Sequence, residues 1–286
     1  MTCFDLSDVF SVLRFSGSTW LHFLQRMSTG DLRGMRAGEG RATVLTTPLA
    51  RIVDWLWVFA EEQGARVLVS AGARSKVAHW LRKHIFFNDD VQVNDTPSRE
   101  PIFALLDAPP PGACAADLPP LGHCQQQSGG GPIWVVRLPQ AFGHGWLVMG
   151  NWQPAEPPLL REAWEEWRIT HGVPAYPNEL NEDYIPLEAG LWGAVSFNKG
   201  CYTGQEIIAR MESRGQIAKR LCLLEAESKL SVGSRLFDEH AEPVGTVTSA
   251  AGRSALGYVR SAVAKPEAVL RTEQGERVQV RAIVRI

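Results

Sequence analysis

Between Phe197 and Gly215 the chain reads FNKGCYTGQEIIARMESRG, with Lys199, Gly200 and Cys201 in succession. The thiolate, not the thiol, is the nucleophile and metal ligand, and it forms more readily beside a cation or at a helix N-terminus. Thr203, Gly204, Gln205 and Glu206 have the T-x-x-E form of a capping box, which predicts a helix beginning at Gly204 with Thr203 as its cap. Ile207, Ile208 and Met211 supply its apolar stripe, and Gly215 supplies its stop, just after Arg210 and Arg214 in the last turns. Cys201 then stands two residues before the cap, in the region faced by free amides and the positive end of the dipole. Gly200 and Gly204 remove side-chain bulk, so a ligand or partner could approach the backbone closely. The pattern predicts an anion-friendly turn carrying an activated thiol. Plainer readings compete with it. A free cysteine is commonly a small buried hydrophobe, and Lys199 reads equally as a solvated surface charge. The basic run Arg210, Arg214, Lys219 and Arg220 either complements the dipole and aids solubility or cradles a carboxylate-rich ligand tail.

Several elements must position this stretch. STWLHFLQRM, from Ser18 to Met27, has helical spacing, with Ser18 or Thr19 as cap, and GDLRGMRAGEGR is turn-like. IVDWLWVFAEEQGARVLVSA has two β-branched and aromatic runs split by EEQG, the pattern of a hairpin. SKVAHWLRKHIFF predicts a helix with Val77, Trp80, Leu81 and His84 on one face, and PPLLREAWEEWRITHG predicts another, closed by Gly172. VQVND, IFALLD, IWVVRL and GWLVMG are strand candidates, while residues 108–132, rich in Pro, Gly, Gln and Ala, read as a long loop rather than a packed element. Mixed strands and helices predict an α+β body over residues 1–215. From Ile217 onward, short strand-like runs are parted by turns at intervals of roughly ten residues. They predict a small all-β barrel or sandwich over residues 216–286, with the boundary near Gln216.

The 286 residues are 45% hydrophobic and 21% charged, with a net charge of −2. This balance gives no bulk electrostatic reason to expect nucleic acid or an anionic membrane as partner. No apolar run approaches the ~18 residues of a membrane span, and the acidic MTCFDLSDVF is unlike a signal peptide. Cys3, Cys114, Cys124, Cys201 and Cys222 show neither CxxC nor zinc spacing, which predicts reduced thiols, a cytoplasmic setting and no metal site. A monomer is expected.

AVSFNKGCYTGQEIIARMESRGQIAKRL resembles the signature of the YgfZ-type folate-binding family, relatives of the glycine-cleavage aminomethyltransferase (GcvT) that act in iron–sulfur cluster maintenance. Its hallmark K-G-C-[YF]-x-G-Q-E is matched by Lys199, Gly200, Cys201, Tyr202, Gly204, Gln205 and Glu206. RITHGVPAYPNELNEDYIPLEAGLWGAVSF is similar to the segment leading into that motif, with Arg168, Gly172, Pro186 and Glu188 at matching places. The resemblance implies a GcvT-like fold, with a ring-shaped α+β body and a small C-terminal β-barrel, and tetrahydrofolate as ligand. Cys201 and Lys199 would be the reactive pair. Asp54, Trp55, Arg168, Tyr202, Gln205, Glu206 and Arg214 would hold the folate, and Gly200, Thr203 and Gly204 would shape the motif. The neighbour of Asp54 is Trp55 where the aminomethyltransferases have a paired acid, and Thr29, Gly30, Asp31 replaces the family's TND turn. Loss of the paired acid weakens the case for aminomethyl transfer. The expected function is a folate-binding accessory factor whose partners are iron–sulfur proteins or their assembly machinery. A one-carbon transferase and a non-catalytic folate-binding docking module are the alternatives.

Overall fold

The computed structural model describes residues 2–95, 100–110, 112, 114, 117–215 and 217–286, with the side chain of Arg214 outside the description. The described residues form β1 (Thr2–Asp5), β2 (Phe10–Ser16), α1 (Trp20–Met27), β3 (Gly40–Thr46), β4 (Ile52–Glu61), β5 (Gly64–Ser70), α2 (Arg74–Lys83), β6 (Gln92–Asn94) and β7 (Ile102–Leu106). There follow β8 (His123–Ser128), β9 (Gly131–Arg137), β10 (Gly145–Gly150), α3 (Arg161–Thr170), α4 (Gln205–Arg214), β11 (Lys219–Ala226), β12 (Arg235–Phe237), β13 (Pro243–Ala251), β14 (Ser254–Arg260), β15 (Val269–Thr272) and β16 (Arg277–Ile283).

The chain divides into two compact units. The first comprises Met1–Thr46, Val53–Ala163 and Ala194–Thr203, and the second Thr47–Ile52, Trp164–Gly193 and Gly204–Ile286. Two five-stranded sheets, ordered β1-β7-β10-β9-β8 and β3-β4-β5-β2-β6, hold the strands that precede α3. β4 is buried along nearly its whole length, as its near-continuous apolar run requires of a strand covered on both faces. It joins β5 through a tight hairpin with Glu61 opposite Gly64. Gly64 (φ 132°) is obligatory there, because a Cβ would lie 2.0 Å from the Phe15 carbonyl oxygen. α1 buries Phe23, Leu24 and Met27, one helical stripe. Its cap departs from expectation. Thr19 makes no capping bond, and Ser18 is instead held by Asp90, which accepts from its amide and its hydroxyl at 2.7 Å each. α2 buries Val77, Ala78 and Leu81, whereas Trp80 and His84 sit half-buried at its edge.

Two expectations are corrected. Residues 108–132 are not wholly a loop, because His123–Ser128 pairs along β9 as an edge strand. A ladder satisfies backbone groups whatever the side chains, and an edge strand with one open face accepts glutamines. Part of the segment (residues 111, 113, 115 and 116) lies outside the described residues. Nor are all thiols reduced. Cys114 and Cys124 form a disulfide, leaving Cys3, Cys201 and Cys222 free. The fold brings these two Cα atoms to 6.3 Å, within bridging range, which spacing in sequence does not reveal.

β11 to β16 close a six-stranded barrel in the order β11-β14-β13-β12-β15-β16. Cys222, Leu224, Val247, Val259, Val278 and Val280 are among the side chains that fill it. Closure removes the sheet edges that so short a set of strands would otherwise expose. Among the described residues no helix is long and apolar enough to cross a membrane.

Candidate functional site

The segment carrying the thiol is fastened to the connection between α1 and β3. Thr29 Oγ1 donates to the Ala194 carbonyl at 2.7 Å and accepts from the Val44 amide at 3.0 Å. The Ser196 amide donates to the Thr29 carbonyl at 2.9 Å, and Thr46 Oγ1 donates to the Thr203 carbonyl at 2.6 Å. At the centre Lys199 Nζ donates to the carbonyls of Gln25, Ser28 and Gly30 at 2.5, 2.8 and 2.6 Å. An ammonium has three hydrogens, so each has an acceptor within the chain. Lys199 is therefore not a solvated surface charge but 7% exposed. Burial pulls its pKa down to about 8, opposed by Asp31 and reinforced by Arg33. The Tyr202 ring lies 5.2 Å from the ammonium. Tyr202 is buried, which lifts its hydroxyl to about 12.

Cys201 itself is exposed, whereas Cys3 and Cys222 are buried. Burial raises their thiols to about 11 and about 12. A Cβ on Gly200 would meet nothing within 4 Å, so the backbone beside Cys201 is open to approach. Gly204 is different. It has φ 84°, and a Cβ would fall 2.9 Å from both Ala50 Cα and the Thr47 carbonyl oxygen. The close approach expected there is made by the chain's own Thr47–Ala50 turn rather than left for a ligand. The capping box is likewise not formed. α4 begins at Gln205, with Gly204 left-handed at the cap position and no side-chain capping bond. A left-handed turn at that position suits glycine and displaces Thr203 from the cap. Glu206 pairs with Arg210 one turn on, with side chains 76% and 64% exposed, a surface contact of small energetic weight. Gln205 is half-buried. Arg214 was expected at the ligand, and its side chain lies outside the described residues.

The other expected ligand residues divide sharply. Asp54 on β4 is fully buried and accepts from the Trp55 amide and Ser70 Oγ through Oδ1, at 2.9 and 2.7 Å, and from the Ser70 amide through Oδ2 at 2.8 Å. Burial raises its pKa to about 6 against the pull of these bonds and of Lys76. Its carboxyl thus ties β4 to the end of β5. Trp55 is buried, edge-on to Trp57 at 5.3 Å, and its indole N–H has no hydrogen-bond partner among the described residues. Trp80 on α2 shares that feature.

Arg168 requires a correction. Its guanidinium makes four hydrogen bonds inside the second unit. Nε donates to Glu165 at 2.8 Å, Nη1 to the Val173 carbonyl and Glu179 at 3.3 and 3.2 Å, and Nη2 to Ser249 Oγ at 2.9 Å while also pairing with Glu165. It is 1% exposed, turned toward partners of the chain itself rather than toward an open ligand site. Glu179, 0% exposed, completes the network by accepting from Thr248 and Ser249 hydroxyls at 2.6 and 2.7 Å. Sequence reasoning missed Thr29, Ser70 and Glu179. Thr29 meets its partner 165 positions away, and no local pattern announces such a contact.

A closed barrel of six strands follows two five-stranded sheets, an order that known proteins share. Residues 219–284 match the family described as CAF17, C-terminal beta-barrel domain. The glycine cleavage system aminomethyltransferase T of Bartonella henselae superimposes with a TM-score of 0.80, covering 98% of this chain and 85% of that one at 20% identity. The chain has the aminomethyltransferase fold. Among sequence relatives, the chloroplastic "putative transferase" of Arabidopsis thaliana is 33% identical over 91% of this chain. The human mitochondrial iron–sulfur cluster assembly factor IBA57 is 30% identical over 64% of it. The chain spans 65% of the plant protein's length and 53% of the human one's. An aminomethyltransferase fold thus carries here a KGC segment whose lysine is locked into backbone carbonyls.

Proposed function

We propose that this chain binds a reduced folate and serves the assembly or repair of iron–sulfur proteins through Cys201. The observation that carries the proposal is the contrast among the free cysteines: Cys201 is exposed on a segment held by Lys199 and Thr29, while Cys3 and Cys222 are buried. An exposed thiol beside an open glycine can act as a nucleophile or as a transient ligand to iron or sulfur. The similarity to a protein named as an iron–sulfur cluster assembly factor supports the choice of client. The two sequence relatives are named as chloroplastic and mitochondrial, so the cytoplasmic expectation draws no support from them.

The residues fit a folate in part. Trp55 offers a flat wall and a buried N–H without an acceptor, the feature left when a ligand supplies the acceptor. Trp55 and Tyr202, both in the first unit, are the residues assigned to holding it, with Asp54 fixing the strand that presents Trp55. When bound, a reduced folate supplies one-carbon chemistry. The role of this chain is to bind and orient it and to keep Cys201 presented.

Cells lacking the factor test the proposal. Cys201→Ala is expected to abolish rescue of iron–sulfur enzyme activity while the purified variant still binds tetrahydrofolate. Full rescue by the variant would leave only a docking role. The shared fold favours aminomethyl transfer as a second reading, and turnover by purified protein in a glycine-cleavage assay would establish it instead.

A further inference from the structure

The outer face of the barrel carries a concentration of positive charge that neither reading uses. Lys219 on β11 stands directly opposite Arg260 on β14. Two places back along β14, Tyr258 is opposite Thr246 of β13, which is opposite Arg235 of β12. These residues and Tyr184 line one cleft of about 280 Å³. Like charges directly opposite each other on paired strands are destabilising. The usual remedy, an interposed carboxylate, is not what lines this cleft. Arg260 has no ion pair or side-chain hydrogen bond among the described residues. Lys219 Nζ reaches the Asp183 carbonyl at 3.3 Å, and the buried Glu188 feels its charge. Arg235 meets Glu273 at 3.6 Å on the exposed rim.

The lysine is also ordered in advance. Tyr184 and Tyr258 are stacked, with ring centroids 3.5 Å apart and planes within 11°. The Lys219 ammonium lies 4.2 Å from the Tyr184 centroid and 5.6 Å from that of Tyr258. A cation fixed over an aromatic face has already given up rotamer freedom, so an anion that meets it is opposed by less ordering entropy. Arg260, planar and forked, suits two oxygens at once.

We propose that this cleft binds a small multivalent oxyanion, the chemistry that phosphate groups and di- or tricarboxylates share, between Lys219 and Arg260 with Arg235 at the rim.

Thermal unfolding of the full chain at constant ionic strength, titrated with pyrophosphate in one series and citrate in another, tests this. The melting temperature of the unaltered protein should rise saturably with at least one of them; pyrophosphate alone would mark a phosphate site and citrate alone a carboxylate site. Arg260→Gln and Lys219→Gln should each weaken the apparent affinity at least tenfold, while Lys265→Gln, an exposed barrel lysine elsewhere, should leave it unchanged. Without anion, Arg260→Gln should melt no lower than the parent, because it relieves the Lys219–Arg260 repulsion. General salting-out raises all variants alike. A rise of equal size in Arg260→Gln and the parent, or no saturable rise with either anion, would overturn the proposal.

Discussion

Two buried cations in this molecule are neutralised in opposite ways. Arg168 lies against the carboxylates of Glu165 and Glu179, the latter wholly buried. Lys199 is held by three neutral carbonyls and has no ion pair among the described residues. A guanidinium offers a planar fork of donors that a carboxylate can meet with two oxygens. An ammonium in a carbonyl cage is held by dipoles alone and becomes titratable, here at about 8. In the sequence Arg168 reads as a folate contact and Lys199 as the partner of a reactive Cys201; the first binds chiefly the chain's own side chains and the second its backbone carbonyls. The arginine fixes the second unit, whereas the lysine fixes the few residues that carry the exposed thiol.

Removing each cation should separate the two cases. Arg168→Met leaves Glu179 buried and unpaired, and breaking a buried pair costs about 3–5 kcal/mol. Urea unfolding should show that loss, with the remaining hydroxyl donors to Glu179 unable to prevent it. Lys199→Met leaves three carbonyls without their donor and should cost about 2–3 kcal/mol, given about 1–3 kcal/mol for each unsatisfied buried group and partial compensation by water. It should also change the pH profile. In the folded protein Lys199 loses its proton near 8, against about 10.4 in an unfolded chain. Between these values the unfolded state binds more protons, so this group makes stability rise with pH across that window. The difference between the parent and Lys199→Met should carry that slope, and a flat difference would contradict the cage.

The two glycines of the motif sharpen the same contrast between filled and open space. Gly204→Ala places a methyl against backbone in a left-handed residue and should destabilise by about 2 kcal/mol. Gly200→Ala meets open space and should change stability by less than about 0.5 kcal/mol. Equal effects would show that the Thr47–Ala50 turn does not occupy the space beside Gly204.

The fold was legible where side-chain period and burial coincide. The β4–β5 hairpin, α3 and the short barrel strands all announce themselves by apolar spacing. The site was legible only in part. KGCYTGQE marks the position of Cys201, but nothing local to Lys199 shows that its acceptors are the carbonyls of residues 25, 28 and 30, more than 160 positions away. The capping box misled because T-x-x-E describes residue types, while a left-handed Gly204 moves the helix start by one. The glutamines of β8 misled in the other direction, since an edge strand draws its stability from the ladder. Asp54 shows the same limit, with its partner Ser70 brought to it by strand pairing.

A pH-dependent effect attaches to that carboxyl. Asp54 titrates at about 6 when folded and at about 3.9 when unfolded. Its contribution to stability is complete below about pH 4 and is lost as pH rises through about 6. Asp54→Asn should flatten stability between those limits by about 3 kcal/mol relative to the parent, and an unchanged profile would show that the carboxyl is solvated.

The claim on which the account rests is that Cys201 is the reachable thiol of this chain. Iodoacetamide labelling of the native protein near neutral pH, followed cysteine by cysteine by peptide mass spectrometry, measures it directly. The account expects Cys201 to be alkylated to completion while Cys3 and Cys222 stay unmodified until the chain unfolds. Labelling of either buried thiol at the rate of Cys201, or a Cys201 that reacts only after unfolding, would contradict it.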